Sequence, residues 1–77
     1  MKTIQIRLNS IEDVNNFNHI VENFPYDFDL LSGRYVVDAK SIMGIFSLDL
    51  KEPINLNIYA SDANLDEVLK ALKPFTI

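Results

Sequence analysis

One histidine and two serines are the groups in this sequence best suited to nucleophilic or phosphoryl chemistry. His19 is the only histidine in the 77 residues, and there is no cysteine. An imidazole can serve as base, nucleophile or metal ligand, but a metal needs further ligands at helical spacing. The residues at i+3 and i+4 from His19 are Glu22 and Asn23, weak partners for that role. No metal site is expected, and His19 reads as a surface or half-buried helix residue. Ser10 and Ser41 each precede an apolar run with helical spacing, where a serine side chain caps the helix and contributes about 1 kcal/mol. Ser10 has no adjacent base to activate its hydroxyl, which a nucleophilic serine requires. Asp27, Asp29, Asp38 and Asp49 are scattered, and could do acid–base work only if the fold converged them. Solvated strand and turn positions are expected instead. The only glycines are Gly33 and Gly44, so no glycine-rich phosphate loop is present, and no cofactor is expected.

The elements that must position these groups follow from the apolar spacing. Thr3 to Leu8 alternates strictly, predicting a strand with Ile4, Ile6 and Leu8 buried. Ser10 then caps a helix over Ile11–Asn23, with Asp13 three residues on as a capping-box variant. Val14, Phe17, Ile20, Val21 and Phe24 recur at helical spacing, and Pro25 stops the run. Phe28 and Leu30 alternate with Asp27, Asp29 and Leu31 as a second strand. A tight turn at Ser32-Gly33 joins it to a third strand over Arg34–Asp38. Ser41 opens a short helix reaching Leu48, Ile54 to Tyr59 alternates as a fourth strand, and Leu65, Val68, Leu69 and Leu72 form a last helix closed by Pro74.

The order is β-α-β-β-α-β-α in a single domain over residues 1–77. The predicted fold is α+β: an open-faced β-sandwich, a four-stranded antiparallel sheet with three helices on one face. The expected core is Ile4, Ile6, Leu8, Val14, Phe17, Val21, Ile45, Leu48, Ile54, Leu56, Ile58, Leu65, Val68 and Leu72.

Apolar residues make up 48% of the chain, too many for disorder, and without cysteine its stability must come from packing. Eleven acids against seven bases leave a net charge of −4, which argues against nucleic-acid binding. No apolar run approaches the roughly 18 residues of a membrane span. Lys2 is followed by alternating residues and not by an apolar leader, so a cytoplasmic protein is expected.

The stretch Gly33-Arg34-Tyr35-Val36-Val37-Asp38-Ala39-Lys40-Ser41-Ile42-Met43-Gly44-Ile45-Phe46-Ser47-Leu48 carries a resemblance. Lys-Ser-Ile-Met-Gly, an apolar pair, Ser and Leu resembles the central signature of HPr, the histidine-containing phosphocarrier of the bacterial sugar phosphotransferase system. The element order is also that family's, and the resemblance covers roughly Phe24 to Leu72. It implies a phosphoacceptor histidine after the first strand, within a Gly-Leu-His-Ala-Arg-Pro type motif. Here the junction is Asn9-Ser10-Ile11-Glu12-Asp13-Val14, about three residues shorter, without His, Arg or Pro. Aligned backwards from Lys40-Ser41, the histidine would fall near Ser10, where Glu12 and Asp13 would repel a phosphoryl group.

The expected function is therefore a non-catalytic HPr-like binding or regulatory module, and not an enzyme. The alternative is a phosphoprotein of the same system that uses Ser41, since the matching serine in the family is phosphorylated by a dedicated kinase in some bacteria. On the short helix, capping needs only Ser41, and core packing needs only Ile45 and Leu48. Ile42, Met43 and Phe46 are left as a partly exposed patch beside Ser41. The expected occupant is a protein, from the phosphotransferase system or a transcriptional regulator, or a second copy of the chain.

Overall fold

The computed structural model covers residues 1–77. The elements are β1 (Lys2–Ile6), α1 (Ile11–Glu22), β2 (Phe28–Ser32), β3 (Tyr35–Asp38), α2 (Ile42–Phe46), β4 (Ile54–Ile58) and α3 (Asp62–Leu72), followed by a 3-10 turn at Lys73–Phe75. The four strands form one antiparallel sheet in the order β1-β4-β2-β3. In the register, Leu56 stands between Ile4 and Leu30, and Ile58 between Lys2 and Phe28. Alternation therefore puts Ile6, Ile54, Leu56, Ile58, Phe28 and Leu30 on one face, and all six are fully buried. Gln5 and Asn55 on the opposite face are exposed. The helices cover one face of an open-faced sandwich, as the sequence predicts.

Helix α1 starts where its cap dictates. The Asp13 N–H donates to Ser10 Oγ at 3.0 Å, and the Asn9 N–H donates to Asp13 Oδ2 at 2.9 Å. This differs from an ordinary capping box, in which the acidic residue would take the cap residue's own N–H. Val14, Phe17 and Val21 turn into the core, along with Asn18. In the β2–β3 hairpin, Ser32 pairs with Tyr35, so the two-residue loop is Gly33-Arg34 and not Ser32-Gly33. Gly33 has φ +60°, a conformation that favours glycine at the first loop position of a type II′ hairpin.

Several expectations are corrected. Ile4 and Leu65 are half-buried, packed at the margin of the core. Ile4 lies on an outer strand of the sheet, paired across with Leu56 of β4, and Leu65 is in the first half of α3. Strand β1 ends at Ile6, α2 ends at Phe46 and α3 begins at Asp62 behind Ser61. The core also takes in Phe28, Leu30, Ala39, Ala60 and Phe75. The Phe75 ring meets Phe17 edge-on, with centroids 5.9 Å apart.

Candidate functional site

Ser41 stands at the N-cap of α2, exposed, and its Oγ accepts from the Gly44 N–H at 3.4 Å, a long capping bond. The segment is held from two sides. Asn18 on α1 donates through Nδ2 to the Ala39 carbonyl at 3.2 Å and to the Lys40 carbonyl at 3.0 Å. Lys40 Nζ donates to the Phe24 carbonyl at 2.8 Å, with the ammonium 5.8 Å from the Phe28 ring centre. On the strand side, Gly44 brings α2 close to β3, where a Cβ at this position would sit 3.3 Å from Val37 Cβ.

With its position fixed, α2 has too few turns to bury all its apolar side chains. Ile45 faces the core, Leu48 just beyond the helix is buried, and Ile42 packs half-buried against them. Met43 is 76% exposed and Phe46 42%. Phe46 borders a hollow of about 460 Å³ that runs to the β1–α1 junction, reaching Ser10 and Ile11 on one side and Asp49 and Lys51 on the other. Ile11 is 70% exposed. It was not among the residues singled out from sequence, although an apolar side chain directly after a cap, off the stripe of Val14, Phe17 and Val21, is a legible sign of exposure.

The other candidates are placed apart from this face. His19 is exposed on α1 and borders a separate hollow with Asp13, Asn16 and Pro74. No group of three acidic or histidine side chains is placed to hold a metal ion. Asp27, Asp29 and Asp38 do converge, around a shallow hollow with Tyr59 at one end of the sheet. Asp38 Oδ1 there accepts from the Lys40 N–H at 2.9 Å, which is a turn role. Asp49 lies elsewhere and likewise accepts from the Lys51 N–H through Oδ1 at 3.0 Å. No helix is long and apolar enough to cross a membrane.

Comparison with known proteins agrees with this architecture. The family model described as "PTS HPr component phosphorylation site" matches residues 14–76. The match extends the resemblance beyond Phe24–Leu72 in both directions, and begins inside α1, past the Asn9–Asp13 junction. Among solved structures, HPr-C-His from Thermoanaerobacter tengcongensis is 25% identical with a TM-score of 0.78, over 96% of this chain and 89% of that one. The histidine-containing phosphocarrier protein of a Mycoplasma shares the fold at 16% identity and a TM-score of 0.69, over 95% of this chain and 86% of that one. No curated protein sequence matches the chain. The family model spans most of the chain and the sheet order and helix placement follow the same fold, so this protein belongs to the HPr family of the phosphotransferase system.

Proposed function

We propose that this chain is an HPr-family module that binds a protein partner without relaying phosphate through a histidine. The observation that carries the reading is the state of the β1–α1 junction. A phosphohistidine carrier needs a nucleophilic imidazole nitrogen, with amides or a cation to hold the phosphoryl oxygens. At this junction Ser10 Oγ accepts from the Asp13 N–H and Asp13 Oδ2 accepts from the Asn9 N–H. Two backbone donors are thus already committed, one of them to a carboxylate, and Glu12 adds a second negative charge. The only imidazole lies on the exposed side of α1, two turns away.

Docking is assigned to the α2 patch of half-buried Ile42 and exposed Met43 and Phe46, with exposed Ile11 facing Phe46 across the hollow that both border. The partner is a protein of the phosphotransferase system, in keeping with the family. A cytoplasmic location fits that partner. The test is incubation with phosphoenolpyruvate and the first enzyme of the pathway, followed by chemical-shift mapping with that enzyme. No phosphate is expected on the chain, whereas shifts at Ile11, Met43 and Phe46 are expected and should be lost in Met43→Glu. Acid-labile, base-stable phosphate on His19 refutes the non-carrier reading.

A second reading, phosphorylation at Ser41, is supported by the exposure of its hydroxyl and its weak capping bond. ATP and the serine kinase of the system test it independently. Phosphate there would weaken docking through charge and desolvation at the adjoining apolar patch.

A further inference from the structure

The two edges of the sheet are finished differently. Along β1 the C-terminal residues run beside the strand. The Arg7 N–H donates to the Phe75 carbonyl at 2.9 Å, the Ile77 N–H donates to the Gln5 carbonyl at 3.0 Å, and Ile6 stands opposite Thr76. No segment runs along the outer side of β3 in this way. Exposed edges invite another strand, and proteins commonly blunt them with short strands, charged side chains, Pro or a bulge. Strand β3, Tyr35-Val36-Val37-Asp38, contains no Pro or Lys, and its register against β2 is unbroken. Tyr35 and Val36 are 68% and 61% exposed.

Ladder alternation says which backbone groups look outward. The Ala39 N–H donates to the Phe28 carbonyl at 2.9 Å. The pairs bonded to β2 are therefore Ala39 with Phe28, Val37 with Leu30, and Tyr35 with Ser32. The backbone groups of Val36 and Asp38 face the open edge, with Arg34 just before them in the hairpin loop. The Asp38 carbonyl accepts from the Ser41 N–H at 3.0 Å and keeps a second lone pair. At the alternating positions 34, 36 and 38 stand a cation, a valine and an anion, with the valine midway.

That arrangement is complementary to its own reverse. A second copy laid antiparallel about a two-fold axis at Val36 sets Val36 against the partner's Val36, and Arg34 against the partner's Asp38 at both ends. The outward backbone groups coincide in the same register, and Tyr35 meets the partner's Val37 on the other face. Within one chain Asp38 stands directly across from Asp29, a repulsive cross-strand pair. The partner's Arg34 brings a cation to that acidic end.

We propose that β3 is a self-pairing edge through which two copies of the chain join their sheets, centred on Val36 and held by two Arg34–Asp38 pairs. It is a different surface from the α2 face. Four residues of edge bury less than a standard interface, so the association is weak and is read by sedimentation equilibrium from tens of micromolar to millimolar chain. Val36→Lys should weaken it about tenfold or more while leaving thermal unfolding unchanged, because the side chain is outside the core. Arg34→Asp and Asp38→Arg each set like charges at both ends, and each alone should be monomeric. Mixed in equal amounts, the two variants carry complementary ends and should pair. In the unaltered chain, amide exchange at Val36 and Asp38 should slow as concentration rises. A chain that stays monomeric throughout overturns the proposal. So does a dimer indifferent to Val36→Lys, or one abolished only by Met43→Glu.

Discussion

Replacing Asn18 with Ala tests whether the Ser41 segment is held in place from α1. Asn18 is 7% exposed and is the one polar side chain in the buried set. Its amide is the only group that donates to the Ala39 and Lys40 carbonyls. Ala39 is fully buried, so truncation leaves its carbonyl without a partner, at about 1–3 kcal/mol. Lys40 is half-buried and its carbonyl can turn to water, so that loss is the ordinary net value of about 0.5–1.5 kcal/mol. Alanine returns about 0.6 kcal/mol of helix propensity. The expected net destabilisation is about 1–4 kcal/mol. Against a stability of about 4–12 kcal/mol for a chain of this length, that is a large fraction. In a urea titration with a slope of about 1 kcal/mol per M, the midpoint should fall by about 1–4 M. Asn18→Asp should be worse at neutral pH, since a carboxylate then faces two carbonyls. Its penalty should shrink as pH falls, because burial raises the folded-state pKa of the introduced carboxyl and the protonated form can donate. A midpoint shift under about 0.5 M for Asn18→Ala would show that the tether does not hold the segment.

The two serine caps should separate on mutation. Ser10→Ala should cost about 1 kcal/mol of unfolding free energy, because it ends a 3.0 Å bond on a helix of 12 residues. Ser41→Ala should cost about half that or less, since its bond is 3.4 Å on a five-residue helix; equal losses in paired denaturant titrations would contradict this. Gly33→Ala, at φ +60° with open space around the position, should destabilise by about 1–2 kcal/mol through backbone strain alone. An unchanged thermal midpoint would count against the positive φ.

Local signals made most of the fold legible. Ser10, the stripe Val14-Phe17-Val21 and Pro25 bounded α1 to within a residue, because a cap, a helical period and a breaker act over one or two turns. Alternation in Ile54-Leu56-Ile58 located β4 in the same way. What escaped depends on partners distant in sequence. Asn18 sits on the buried side of α1 because the turn after β3 presents two carbonyls there, and nothing within α1 announces them. Phe75 is buried because the chain after α3 folds back along β1. Pro74 signalled only that the helix must stop.

The candidate docking face was legible for a different reason, which bears on how far the reading reaches. A core of fixed geometry can absorb only one side of a short helix, so the apolar residues on α2 exceed what it can bury, a surplus visible in the sequence alone. Ile42 shows the bound on such counting: helical spacing grouped it with Met43 and Phe46, yet it leans half-buried onto the core. The β1–α1 junction works the other way. There the missing imidazole and added acids were visible in sequence, but not that Asp13 reaches the Asn9 N–H and Ser10 Oγ takes the Asp13 N–H. Under the proposed reading, those bonds add a physical obstacle to phosphoryl transfer at this junction. A phosphoryl group arriving at this helix end would have to displace a carboxylate already bonded to the backbone, and would gain no imidazole in exchange.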